Sequence, residues 1–353
     1  MKSHNRYSML DGIRGFAAIL VLTRHTQDFW NIDFYRSYLA VDLFFILSGF
    51  VIAFAYDEKI KNGLISVQKF ALIRIVRLYP VFLLSLIITV IYSLSRLFFN
   101  HDLNQNTFLN LLQMTLLTAI FLPSHQIGVG FLFPLNAPYW SLAFELIANF
   151  IYGAFQKFLT DITTAIVVIT LGLTIGFISY ANGSLNTGFT WGELSVFAAF
   201  ARSLFGVFVG LYLYKNRLAI EKLISPFQNI AWIAMLGMAL ILISPSVPSY
   251  DWILDLLIVT LVFPFFVICA STGKSTKFNK IFLILGSASY PIYLLHIPIS
   301  GFIYFCFKNY IQYSAPFSGI ILTLFLIFLS LLIEKYYDIP LRKWLSVKLK
   351  IKH

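Results

Sequence analysis

The chain has 353 residues, of which 59% are hydrophobic and 12% charged, with a mean hydropathy of +0.81. A soluble domain is roughly 45–50% apolar, so composition excludes an ordinary water-soluble fold and makes lipid the solvent. The net charge of +11 suits a nucleic-acid partner only on a soluble module with a basic face; the sequence offers no such module, and no nucleic acid is expected.

Taken in order, the N-terminus sets basic residues before an apolar stretch, as a signal peptide does. Arg14, Arg24 and His25 interrupt that stretch and no small-x-small cleavage site follows, so 11–30 reads as an uncleaved first span. Further apolar stretches lie near 38–56, 78–99, 108–122, 139–158, 162–180, 193–214, 227–244, 253–271, 281–307 and 315–336. Each is expected to be helical, because an open sheet in lipid leaves backbone groups unpaired. The stretch 108–122 is short and carries Asn110 and Gln113; at about 1.5 Å per residue it barely spans hydrocarbon.

The placement of Lys and Arg arbitrates. If 108–122 does not cross, twenty of the 26 basic residues fall on one side, including Lys2, Arg6, Lys59, Lys61 and the clusters at 215–222, 274–280 and 335–352. If it crosses, the clusters at 215–222 and 274–280 move to the opposite face. The expectation is an all-α polytopic membrane protein of ten spans with both termini cytoplasmic. Residues 1–340 form one membrane domain, 341–353 a basic cytoplasmic tail, and 100–138 an outer loop. Cys269 and Cys306 sit in apolar runs and read as small hydrophobes, with no metal-ligand spacing.

Charged groups inside lipid cost about 2.5–3.5 kcal/mol each at mid-bilayer, so Arg14, His25, Asp42, Glu145, Arg202 and His296 each need a partner or a task. Eleven steps of 100° return Arg14 and His25 to within about 20° of one helix face, about 16 Å apart. In the ten-span topology His25, Asp42 and Glu145 lie about 6–9 Å inside the outer boundary, and His296 lies deeper, on a span kinked by Pro291 and Pro298. A carboxylate beside an imidazole is acid/base machinery for activating a hydroxyl. Plainer roles stand beside this one. His25 also fits an interhelical hydrogen bond, Asp42 a helix N-terminus, and Glu145 a pairing with Arg202 or Arg24. Arg74 and Arg77 fit cytoplasmic anchors, and Tyr139, Trp140, Trp30 and Trp191 an interfacial belt.

Five stretches in order, LDGIRGFAAILVLTRH (10–25), YLAVDLFFILSGFVIA (38–53), RIVR (74–77), YWSLAFE (139–145) and SYPIYLLH (289–296), resemble the membrane-bound acyltransferase-3 family. Its members O-acylate bacterial surface polysaccharides and related glycans. The resemblance implies a cytoplasmic acyl-CoA donor, acetyl-CoA above all, bound near Arg14, Arg74 and Arg77, with His25 at the reacting centre. It also marks Asp42, Trp140, Ser141, Glu145 and His296: Glu145 or Asp42 would orient His25, and Trp140, Ser141 and His296 would meet the substrate. No metal is implied. The acceptor would be a lipid-linked or polymeric glycan such as O-antigen or exopolysaccharide, at the far face of a bacterial inner membrane, with membrane lipids and polysaccharide-assembly proteins as further partners. Many relatives carry an added extracytoplasmic hydrolase-like domain, and a stand-alone form is expected here. Two other classes compete. A transporter or flippase of glycan intermediates would show repeats in two halves, whereas here the ionisable residues concentrate before position 146; a non-enzymatic component of an assembly complex would not depend on His25.

Overall fold

The structure is a computed structural model that describes residues 7–125, 130–224, 229–273 and 278–351. Lys2, Arg6, Lys274, Lys277 and Lys352, which entered the charge argument, lie outside the described residues, as does His353. Among the described residues every regular element is helical, apart from one isolated bridge between Phe131 and Thr190.

Helix α1 (Ser8–His25) leads through two 3-10 turns to α2 (Ala40–Lys61), α3 (Val67–Phe99) and α4 (Gln105–Ala119). Then follow α5 (Tyr139–Phe155), α6 (Asp161–Asn182), α7 (Glu193–Ile224), α8 (Ile230–Ile243), α9 (Asp251–Leu257) and α10 (Phe263–Ser271). The last are α11 (Asn279–Ser314), α12 (Phe317–Ile333) and α13 (Ile339–Lys348). Polar residues at the breaks start and stop these helices. Ser66 accepts from the amide of Lys69 to cap α3, Thr160 caps α6 from Thr163, and Gly183 ends α6 in the left-handed region at φ 76°. Asn104 and Thr107 close a reciprocal capping box at α4. Among the described residues seven helical stretches are long and apolar enough to cross a membrane, so the chain is a polytopic membrane protein. Helices α1, α5 and α8 are apolar too, but shorter or interrupted by charge.

Without a hydrophobic drive between helices in lipid, small residues that admit close approach decide the pairings. A Cβ on Gly49 of α2 would stand 2.0 Å from the carbonyl oxygen of Val207, and one on Gly210 of α7 would stand 2.1 Å from that of Ile46. Asp42 meets Arg202, and Phe50 meets Tyr214, so α2 and α7 run parallel. On α1, a Cβ at Gly15 would fall 2.4 Å from that of Leu285. Arg14 meets Ser289 and His25 meets His296, so α1 and α11 are also parallel. Helix α3 joins this pair in the same direction, through Tyr290 to Leu78 and Ser85 to Leu294.

Residues 341–351, the described part of the expected tail, are helical through Lys348 and pack on the bundle. Leu345 and Ile351 are apolar and pack on Ile73 and Val76 of α3.

Candidate active site

At the end of α1, His25 Nδ1 lies 2.9 Å from the carbonyl of Val21, and His296 Nδ1 lies 3.0 Å from the carbonyl of Ile292. A carbonyl only accepts, so the hydrogen-bond pattern puts the proton of each neutral ring on Nδ1. His296 then turns an unprotonated Nε2 toward His25 Nδ1 at 3.2 Å, and the Nδ1–H of His25 is shared between Val21 and His296. What remains is His25 Nε2, a base without a hydrogen-bond partner among the described residues, on an exposed side chain backed by a fully buried His296. Should that nitrogen take a proton, the resulting imidazolium faces two acceptors.

Proline positions this pair. Pro298 has no N–H to give to the carbonyl four residues earlier, which belongs to Leu294. That carbonyl is instead captured by Ser85 Oγ at 2.6 Å and by Asn136 Nδ2 at 3.0 Å. Tyr139 backs Ser85 at 2.7 Å between hydroxyls. The turn of α11 that carries His296 is thereby tied to α3 and to the approach to α5.

A cavity of about 600 Å³ runs between α1, α2, α3, α5 and α11. Its lining includes Arg14, Arg74, Arg77, Ser141, Glu145, then Glu334 and Asp338 from the turn before α13, and Arg342 from α13 itself. The charges are largely balanced within it. Arg14 bonds Asp11 at 2.9 Å, the Gly286 carbonyl at 2.9 Å and Ser289 Oγ at 3.0 Å. Buried Arg74 donates to Glu145 at 3.1 Å, and Ser48 Oγ donates to the same oxygen at 2.5 Å. Arg342 pairs with Asp338 at 2.7 Å. At the other end stand Phe44, Ser141 and Tyr293, with hydroxyls of Ser141 and Tyr293 2.6 Å apart and the Tyr293 and Phe44 rings edge-on at 5.6 Å. The Tyr293 ring centre is 6.3 Å from that of His296, so the cavity ends one side chain away from the histidine pair.

Asp42 is placed elsewhere. Its carboxylate is held by Arg202 through Nε at 2.9 Å and Nη2 at 2.6 Å, both residues fully buried, while Arg202 also donates to the Thr187 carbonyl and lies 5.3 Å from the Trp140 ring centre. Trp140 therefore packs on this ion pair in the core instead of lining the cavity.

Of the nine residues singled out from the sequence, Arg14, Arg74, Arg77, Ser141 and Glu145 share the cavity, and His25 and His296 form a separate contact beside it. The expected carboxylate partner of His25 is replaced by an imidazole, because Asp42 is engaged by Arg202 and Glu145 by Arg74 and Ser48. The expected joint role of Arg74 and Arg77 also divides: Arg74 is buried against Glu145, whereas Arg77 is exposed and makes no ion pair among the described residues. Tyr293 and Arg342 were not singled out. Tyr293 sits three residues before His296 and so on its face, a signal present in the sequence; Arg342 is indistinguishable there from a topology anchor.

Residues 7–334 match the family model described as an acyltransferase domain, acyltransferase-3. Over 156 residues the chain is 40% identical to "Protein 2 in picA locus" of Rhizobium radiobacter, covering 42% of this chain and 81% of that protein. Over 170 residues it is 29% identical to peptidoglycan O-acetyltransferase OatA of Listeria monocytogenes serovar 1/2a, covering 44% of this chain but 26% of OatA. The chain thus matches about a quarter of OatA's length, and no solved structure matches it. A family model matched along nearly the whole chain, together with the Rhizobium relative, establishes that this chain belongs to the acyltransferase-3 family.

Proposed function

We propose that the chain is an acyl-CoA-dependent O-acyltransferase of a bacterial inner membrane, moving an acyl group, acetyl by preference, to a hydroxyl of a surface glycan at the outer face. The observation that carries this reading is the Nε2 of His25, held by Val21 and His296 one side chain beyond a cavity that is rich in guanidinium. Nε2 takes the hydroxyl proton as the sugar oxygen attacks the thioester carbon, the C–S bond breaks, and the thiolate leaves with the proton returned by the imidazolium. His296 acts as a positioning residue for His25, and Ser141 and Tyr293 stand where an acyl-pantetheine arm would end. Glycan acceptors fit OatA, whose name is that of a peptidoglycan O-acetyltransferase.

Topology belongs to the same reading. The seven long stretches together with α1, α5 and α8 give ten crossings, α4 staying at the outer surface. Alternating crossings then make α1, α3 and α11 run outward and α2, α5 and α7 inward, in agreement with the parallel pairings; a crossing α4 would make α2 and α7 antiparallel. The test is reconstitution of the full chain in proteoliposomes with acetyl-CoA labelled in the acetyl group and native membrane glycan as acceptor. Label in the glycan with stoichiometric release of CoA thiol is expected, and label remaining in acetyl-CoA would overturn the reading.

A further inference from the structure

Beside the main cavity, between α3, the end of α2 and α13, lies a second one of about 290 Å³. Its polar lining is Tyr56, Arg77, Arg342, Lys343 and Ser346, with apolar side chains from α3 and α13. Three cations and no carboxylate line it; of these Arg342 is paired with Asp338, which lines only the main cavity. Arg77 and Arg342 line both cavities, so the two are neighbours across these side chains. Among the described residues neither Arg77 nor Lys343 makes an ion pair, and Arg342 Nε is buried without a hydrogen-bond partner. An unused buried donor normally finds a partner, and guanidinium forks suit phosphate.

Resting on the donor assigned above, we infer that this second cavity holds the phosphorylated adenosine end of the acyl-CoA, with Arg77, Arg342 and Lys343 as phosphate ligands and Tyr56 as a face for the base. The division of charge matches the molecule. An acyl-CoA concentrates its negative charge at the nucleotide and is neutral along the pantetheine arm, which suits a cationic pocket beside a charge-balanced cavity. The Tyr56 ring is braced edge-on by Phe70 at 5.5 Å, and bases stack on such rings whatever their identity. Helix α13 thus becomes part of the donor site. The π-turn Glu334–Asp338 directly before it carries the Asp338 that fixes Arg342.

Two donors separate this site from the rest of the passage: acetyl-CoA, and S-acetyl-pantetheine, which lacks the nucleotide. The ratio of their kcat/KM values is measured for the reconstituted full chain and for Arg342→Ala and Lys343→Ala. The ratio should fall by roughly tenfold for Arg342→Ala and severalfold for exposed Lys343→Ala, because only acetyl-CoA has phosphates to lose. A proportional fall with both donors would overturn the inference and assign the pocket to packing of α13 or to an anionic lipid headgroup. Wild-type turnover of acetyl-CoA tests the donor assignment by itself. Its absence removes both readings, and its presence with an unmoved ratio removes the nucleotide site alone.

Discussion

His296 Nε2 lies 3.2 Å from His25 Nδ1, across 271 positions of chain. The contact makes one imidazole the acceptor for another, in the place where a carboxylate was expected. Replacing His296 with Ala removes one of two acceptors for the developing imidazolium while leaving Val21 in place. We predict a fall in kcat of about tenfold, since a hydrogen bond to a charged group is worth roughly 1.5–3 kcal/mol, with KM for the donor little changed. Steady-state kinetics with acetyl-CoA checks this; a rise in KM alone would place His296 in donor binding.

The Asp42–Arg202 pair is a matter of folding. Both side chains are buried and bonded by two parallel hydrogen bonds, so removing either leaves an unpaired charge in the bundle. Asp42→Ala or Arg202→Ala should each destabilise by about 3–5 kcal/mol, and the double variant by less than the sum. Thermal unfolding of detergent-solubilised protein measures this, and additive losses would show that the two do not act as a pair.

The carbonyl freed by Pro298 links backbone chemistry to the histidines. Ser85→Ala and Asn136→Ala each take one donor from Leu294, at a cost of roughly 0.5–1.5 kcal/mol in stability. Because Leu294 lies two residues before His296, the double variant should also lose transfer rate per folded molecule. Retained rate with lowered stability would confine the cap to a structural role.

How much of this was legible in the sequence follows from what each feature costs. Helices in lipid need long apolar runs, and charges in lipid need reasons, so the all-helical membrane fold and the set of unusual polar residues could be read directly. Pairings could not. Asp42 and Arg202 are 160 positions apart, and nothing in either stretch says that α2 and α7 pack together; that depends on Gly49 and Gly210 meeting facing backbone. By depth alone Glu145 lies level with His25, whereas in the structure it bonds Ser48 and Arg74, eleven positions before the Ser85 that holds the His296 turn. Arg342 was hidden because a cation that anchors topology and one that lines a cavity have the same sequence signature.

Ten crossings with α4 at the surface make a labelling prediction. Single cysteines at Asn104 and Asn186 should react with a membrane-impermeant maleimide from the outer side, and one at Asn62 only after the inner side is exposed. Both outer sites are polar positions in connecting segments. Opposite accessibility at Asn104 and Asn186 would mean that α4 crosses.

The most direct measurement is acyl transfer by His25→Ala, normalised to folded protein in the membrane. A positioned general base contributes about 10²–10⁴-fold, so transfer should fall at least about a hundredfold with the protein still folded. A folded His25→Ala that acylates its acceptor at the wild-type rate would contradict the assignment of the free imidazole nitrogen as the base.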